Sequence, residues 1–283
     1  ALTWLRYIKD GYGMDKIDTV QARKLISDSY PEFLFHSQYA DADLHGIPLE
    51  SISHIYRPDQ TVVRLLRMTE PDYKQRDAIK ILKLLLDAGI QEQNIGITGS
   101  LMLDTHNENS DVDIVIYGRE LFFKIKKHIK VFIETSQLGS LSDSSWQDAY
   151  QRRDCSLSFE EYKFHELRKF NKCMSGTSKV DISMIPEVYE RYQENGPFKK
   201  HGQDKIAAIV TDDTYAFDFP ARYFTDHKTI SEVVSYTATY VGQARNGEKI
   251  EASGFIEQGG DGKKRLLVGT SREANNEYIR IFT

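Results

Sequence analysis

The stretch that decides the reading of this chain is Gly99-Ser100-Leu101-Met102-Leu103-Asp104-Thr105-His106-Asn107-Glu108-Asn109-Ser110-Asp111-Val112-Asp113-Ile114-Val115-Ile116-Tyr117-Gly118. Asp111 to Tyr117 is dense in Val and Ile, the pattern of a β-strand. In a strand, residues i and i+2 share a face, so Asp111 and Asp113 point one way while Val112, Ile114 and Ile116 point into a core. Two carboxylates held together on a rigid strand repel, and the arrangement is costly unless a cation lies between them. The earlier half follows a short strand, Ile95–Ile97, and opens a short helix. Free backbone N–H groups at such an opening, with the Ser100 hydroxyl, suit phosphate oxygens. Gly99 allows a backbone approach that a Cβ would block.

A third acid lies further on, in Val180-Asp181-Ile182-Ser183-Met184-Ile185. Asp181 stands in an otherwise apolar strand, where an isolated acid is costly to bury. Beside a metal it is compensated, and it can help deprotonate an attacking hydroxyl. A pair of Mg²⁺ ions suits such a set, being hard, oxygen-ligated and able to neutralise a triphosphate.

Gly99-Ser100, then Ser110-Asp111-Val112-Asp113 on an apolar strand, with Asp181 later, resembles the DNA polymerase β-like nucleotidyltransferase superfamily. The superfamily motif covers roughly Ile95 to Pro186. The resemblance implies Mg²⁺-dependent transfer of a nucleoside monophosphate from a nucleoside triphosphate to an acceptor hydroxyl, with release of pyrophosphate. It makes Asp111, Asp113 and Asp181 the catalytic and metal-binding residues, with two Mg²⁺ ions or Mn²⁺ in their place. Gly99 and Ser100 would then hold the β and γ phosphates. Within the superfamily the chain is most similar to an archaeal group of predicted nucleotidyltransferases of unassigned substrate. That likeness rests on Trp4-Leu5-Arg6-Tyr7, Ile55-Tyr56-Arg57-Pro58 and Phe164-His165-Glu166-Leu167-Arg168-Lys169-Phe170-Asn171-Lys172. One position departs from the superfamily pattern. The usual second Gly, four residues after the Ser, is here Asp104, and an acid there is expected to crowd or repel the triphosphate. Asp104 thus favours a second reading, a catalytically inactive nucleotidyltransferase-fold module that binds RNA or a protein partner.

Other candidates are weaker. His165, Arg168, Lys169 and Lys172 fall at helical spacings in Phe159–Lys172, with His165, Arg168 and Lys172 on roughly one face. They are candidates for holding the triphosphate or an acidic acceptor, and the competing reading is a solvated basic face. Arg152 and Arg153 follow them. Asp41-Ala42-Asp43 repeats the Asp-x-Asp spacing without an upstream Gly-Ser or an apolar strand, and reads as solvated loop. No HxxxH or CxxC spacing points to zinc.

The chain has 283 residues, 42 acidic and 37 basic, with a net charge of −5. Mild acidity argues against a protein that coats nucleic acid through bulk charge. The locally basic stretches Arg119–Lys130 and Arg152–Lys179 leave RNA open as an acceptor. No stretch approaches the ~18 consecutive apolar residues of a membrane span. Two cysteines form no disulfide framework, and Ala1–Leu5 has neither a basic nor an apolar leader region, so a cytoplasmic protein is expected.

The fold class expected is α+β. Residues 1–70 read as a small α+β unit, with Leu2–Ile8 a strand, Thr19–Tyr30 a helix capped by Asp18, and Arg57-Pro58-Asp59 a turn. Residues 71–198 read as the nucleotidyltransferase core, a mixed sheet with helices, including Asp72–Ala88, Glu120–Phe132, Ser145–Arg153 and Phe159–Lys172. Asn195-Gly196-Pro197 and the polar run to Asp204 read as a linker. Residues 205–283 read as a small OB-like β-barrel, with strands over Ile206–Thr211, Ala216–Arg222, Val233–Val241, Lys249–Glu257 and Arg265–Gly269 and a hairpin tip at Gly259-Gly260-Asp261-Gly262.

Overall fold

The computed structural model describes residues 2–3, 7–10, 13–153, 155–270, 274 and 276–282. The chain opens with β1 (Leu2–Thr3), β2 (Tyr7–Asp10) and β3 (Gly13–Lys16). β2 and β3 pair as an antiparallel ribbon. The single strand expected over Leu2–Ile8 is thus two strands of different sheets, and its middle lies outside the described residues. α1 (Thr19–Ser29) starts where expected, with Asp18 and Gln21 in a reciprocal capping box. β4 (Leu34–Ser37) and β5 (Ala42–Gly46) complete a three-stranded sheet in the order β1-β5-β4.

The expected turn at Arg57-Pro58-Asp59 is instead the start of α2 (Pro58–Leu66). Pro58 occupies the first helical position, where its missing N–H would have no partner in any case. α3 (Tyr73–Asp87) is capped by Asp72 and Gln75 and stops ahead of Gly89, whose φ is +83°.

β6 (Ile95–Thr98), the four-residue α4 (Gly99–Met102) and β7 (Val112–Tyr117) carry the deciding stretch. α5 (Arg119–Glu134), α6 (Asp143–Gln151) and α7 (Phe159–Lys169) follow, then β8 (Lys172–Ser175) and β9 (Ser178–Ile185). The sheet order is β6-β7-β9-β8, with β7 parallel to β9 and the outer pairs antiparallel. The parallel pair requires a long crossover, which α5 to α7 provide. Val112, Ile114, Ile116, Val180 and Ile182 are fully buried and pack with Leu82 and Leu85 of α3 and Phe122 and Ile125 of α5. Val62 and Leu65 of α2 join the same core.

The helix expected over Phe159–Lys172 ends earlier. Phe170 takes a left-handed φ of +50°, which breaks the helix and lets the chain turn into β8. Lys172 is therefore a strand residue, on no helical face with His165 and Arg168.

The C-terminal strands are β10 (Phe198–Asp212), β11 (Ala221–Thr225), β12 (Ile230–Ser235), β13 (Lys249–Gly259), β14 (Lys264–Val268) and β15 (Tyr278–Ile281). β10-β11-β12-β14-β13 run in order and β13 pairs back onto β10, closing a five-stranded ring in which only β12 and β14 are parallel. This is the expected OB-like barrel, with β15 added on β13. The polar run up to Asp204 is not a linker but the first half of β10, paired with β13 from Phe198 onward. Its side chains are mostly exposed, so backbone pairing alone makes it a strand. Ala216–Arg222 is mostly turn before β11, and Val233–Val241 leaves the sheet after Ser235. The hairpin tip at Gly259–Gly262 joins β13 to β14 as expected.

A second core fills the barrel with Val210, Tyr223, Val233, Ile250 and Leu266, and into it run Trp146 and Ala149 of α6 and Tyr162 of α7. Arg168 of α7 pairs with Glu248, and Lys169 donates to the Thr239 carbonyl. His165 is 2% exposed in this seam. Burial first, then the charges of Lys169 and Arg168, hold its imidazole down at about 4. An unfolded chain titrates near 6.5, so it binds more protons between these values. The contribution of His165 to stability is complete above pH 6.5 and is lost as pH falls toward 4. His165→Gln is expected to remove up to about 3 kcal/mol of that acid-dependent loss, read as a shallower fall of unfolding free energy in denaturant titrations from pH 7 to 4.

Candidate functional site

The register of the central sheet lines up four residues. Thr98 lies opposite Asp113, Asp113 opposite Asp181, and Asp181 opposite Lys172. Paired residues in neighbouring strands share a face. The row Thr98–Asp113–Asp181–Lys172 therefore runs across the sheet on one side, and all four line a single cavity of about 720 Å³. Gly99, Ser100 and Asp111 line the same cavity. Asp111 sits just ahead of β7 rather than within it.

The carboxylates differ in their surroundings. Burial, and then the charges of Asp181 and Asp111, push Asp113 up to about 6, while Lys16 and Lys179 oppose the rise. One oxygen of Asp181, Oδ1, is buried without a hydrogen-bond partner among the described residues. Asp111 is engaged, 2.9 Å from Lys179 Nζ and 3.6 Å from the Arg152 guanidinium. Desolvation opposes the charge of Arg153, but Asp181, Tyr162 and Glu166 more than offset it and raise its pKa. Lys172 is likewise held charged against burial by Glu166 and Asp181.

Gly99 has a φ of +67°, and a Cβ there would overlap Oδ2 of Asp113. The glycine is required by the approach of that carboxylate to the backbone, besides any approach of a phosphate.

Among the described residues, no three His, Cys, Asp or Glu side chains are gathered tightly enough to hold a metal ion as they stand. The donor chemistry nevertheless fits a hard cation. Asp113 and Asp181 are strand neighbours whose charges repel, Oδ1 of Asp181 has no hydrogen-bond partner among the described residues, and Asp111, now paired with Lys179 and Arg152, lines the same cavity.

The basic candidates divide. Lys172 and Arg153 are on the cavity wall, as is Arg152. His165, Arg168 and Lys169 are not, because α7 turns them toward the barrel. Lys179 was not singled out from the sequence, although its place two residues before Asp181 on one strand puts both on one face. Tyr7, Met14 and Lys16 also line the cavity, brought there by the β2–β3 ribbon. No local signal marks them. Asp41 and Asp43 lie elsewhere, near His36, and His106 is paired with Asp72.

Asp104 does not crowd the site. It has a φ of +54°, which accounts for a glycine at this place, and its carboxylate meets Arg64 at 2.5 Å, off the cavity wall. The inactive-module reading loses the feature that favoured it. Asp104→Gly is expected to change stability by less than about 1 kcal/mol and to leave nucleotide affinity unchanged, checked by thermal melting and calorimetric titration.

Comparison with known proteins agrees with this site. The model of a family described as the nucleotidyltransferase domain matches residues 78–192. The uncharacterized protein MJ1086 of Methanocaldococcus jannaschii is 36% identical over 273 residues, covering 92% of this chain and 80% of its own. No solved structure matches. The matched domain runs from α3 past β9 and contains the whole cross-sheet row, and the relative extends the likeness over most of both chains. The chain belongs to the DNA polymerase β-like family of nucleotidyltransferases.

Proposed function

We propose that this protein transfers a nucleoside monophosphate from a nucleoside triphosphate to an acceptor hydroxyl. The observation that carries the reading is the row Thr98–Asp113–Asp181–Lys172, with its two adjacent, mutually repelling carboxylates facing a cavity of nucleotide size. Asp113 and Asp181, joined by Asp111, would hold Mg²⁺. When bound, Mg²⁺ supplies the positive charge and Lewis acidity that a reacting triphosphate needs.

The chain's own groups then have defined tasks. The Ser100 hydroxyl and the backbone at Gly99 hold the β and γ phosphates. Asp181 Oδ1, without a hydrogen-bond partner among the described residues, takes the proton of the acceptor hydroxyl. The acceptor oxygen bonds to the α-phosphorus, the bond from that phosphorus to the β-phosphate oxygen breaks, and pyrophosphate leaves. Lys179 and Arg152, freed when Asp111 turns away, join Lys172 and Arg153 in balancing the charge of the leaving group. By fold analogy alone, the OB-like barrel makes an RNA end the first acceptor to test.

The test is label transfer from each α-labelled nucleoside triphosphate, with Mg²⁺ or Mn²⁺, into pools of RNA, protein and small metabolites. Wild type is expected to label one pool. Asp113→Asn is expected to cut transfer at least about a hundredfold without unfolding. Failure of wild type to label any pool counts against the reading. Gly99→Ala is expected to displace Asp113 and lower the rate at least about tenfold, with a lowered melting temperature from the strain of a side chain at φ +67°.

A further inference from the structure

The cavity wall is mostly polar. Thr98, Ser100, Thr105, Asn107, Asn109 and Ser110 alternate with the carboxylates and cations described above. Its side chains of predominantly apolar character are Tyr7, Met14 and Ala149, and among the described residues Tyr7 is the one aromatic ring on it. Two of the three belong to the β2–β3 ribbon.

The ribbon's register explains why they act together. Tyr7 pairs with Lys16, and Lys9 with Met14. Tyr7 and Lys9 are two apart on one strand and Met14 and Lys16 two apart on the other, so one face of the ribbon carries Tyr7, Met14 and Lys16. That face meets the cavity. The charge of Lys16 also reaches Asp113, which places this wall beside the carboxylate row.

A nucleoside triphosphate has a polyanionic end and a planar, weakly polar base. The polar wall and its cations suit the first and offer the second nothing to stack on. We infer that the face of the β2–β3 ribbon formed by Tyr7 and Met14 is the nucleobase-binding wall of this cavity, with the base stacked on Tyr7 and flanked by Met14. This rests on the nucleotidyltransferase reading above and adds to it the part of the chain that holds the base. Stacking is tolerant of base identity, so the ribbon sets affinity for nucleosides over bare polyphosphates more than the choice among bases.

The experiment compares binding of the four nucleoside triphosphates with binding of inorganic tripolyphosphate, each with Mg²⁺, by calorimetric titration of the full chain. Wild type is expected to bind the nucleotides about ten- to a hundredfold tighter than tripolyphosphate. Tyr7→Ala, alone or with Met14→Ala, is expected to bring nucleotide affinity down to that of tripolyphosphate while leaving tripolyphosphate itself unchanged. Tyr7→Phe is expected to keep the wild-type preference, which separates loss of the ring from damage to the ribbon. A preference that survives in Tyr7→Ala overturns the inference, as does a wild type that binds nucleotides no better than tripolyphosphate. If wild type binds neither ligand, the nucleotidyltransferase reading fails and this inference falls with it.

Discussion

The repulsion between Asp113 and Asp181 is the constraint around which the central part of the protein is arranged. β7 and β9 are parallel and in register, so these two acids are fixed side by side and cannot relax apart without breaking the ladder. Hydrophobic residues on the other face of the same strands hold that geometry in place. The surrounding cations are disposed to tolerate the acids rather than to neutralise each of them. Lys179 and Arg152 attend Asp111, Arg153 and Lys172 attend Asp181, and among the described residues an oxygen of Asp181 is still left without a partner. A fold with no use for this cluster would replace it with apolar residues, since unpaired buried polar groups cost stability.

The barrel is tied to that centre by a shared core and not by a loose linker. α6 and α7 belong to the crossover between the two site strands, yet Trp146 and Tyr162 are buried with barrel residues. On the cavity side, the same crossover presents Arg152 and Arg153, which follow α6 directly. On the barrel side it presents His165, Arg168 and Lys169.

The lining of the candidate site was legible where local geometry and chemistry coincide. Gly99, Ser100, Asp111, Asp113 and Asp181 could be named from an alternating apolar strand, an acid isolated in another such strand and a glycine at a strand-to-helix turn. The basic candidates divided for an equally physical reason. Helical spacing through Lys172 grouped it with His165 and Arg168, but a left-handed Phe170 ends the helix and sends Lys172 to the cavity while the others go to the barrel. The first half of β10 was read as linker because its exposed, polar side chains carry no period, although its backbone is fully paired.

By itself, the sequence determined the elements whose side chains alternate or repeat: α1 and α3 with their capping boxes, the buried strands β7 and β9, and the barrel hairpin at Gly259–Gly262. It also determined the chemistry of the acids, because carboxylates in apolar strands demand compensation wherever the strands lie. Only the tertiary structure decided which strand is neighbour to which, and so that Asp113 and Asp181 face each other. It decided too that Asp104 turns to Arg64, that α6 and α7 serve two cores, and that the β2–β3 ribbon, some 80 residues before the motif, forms a wall of its cavity. These are long-range contacts, set by how whole elements bury their apolar faces together, and no local pattern of residues encodes them.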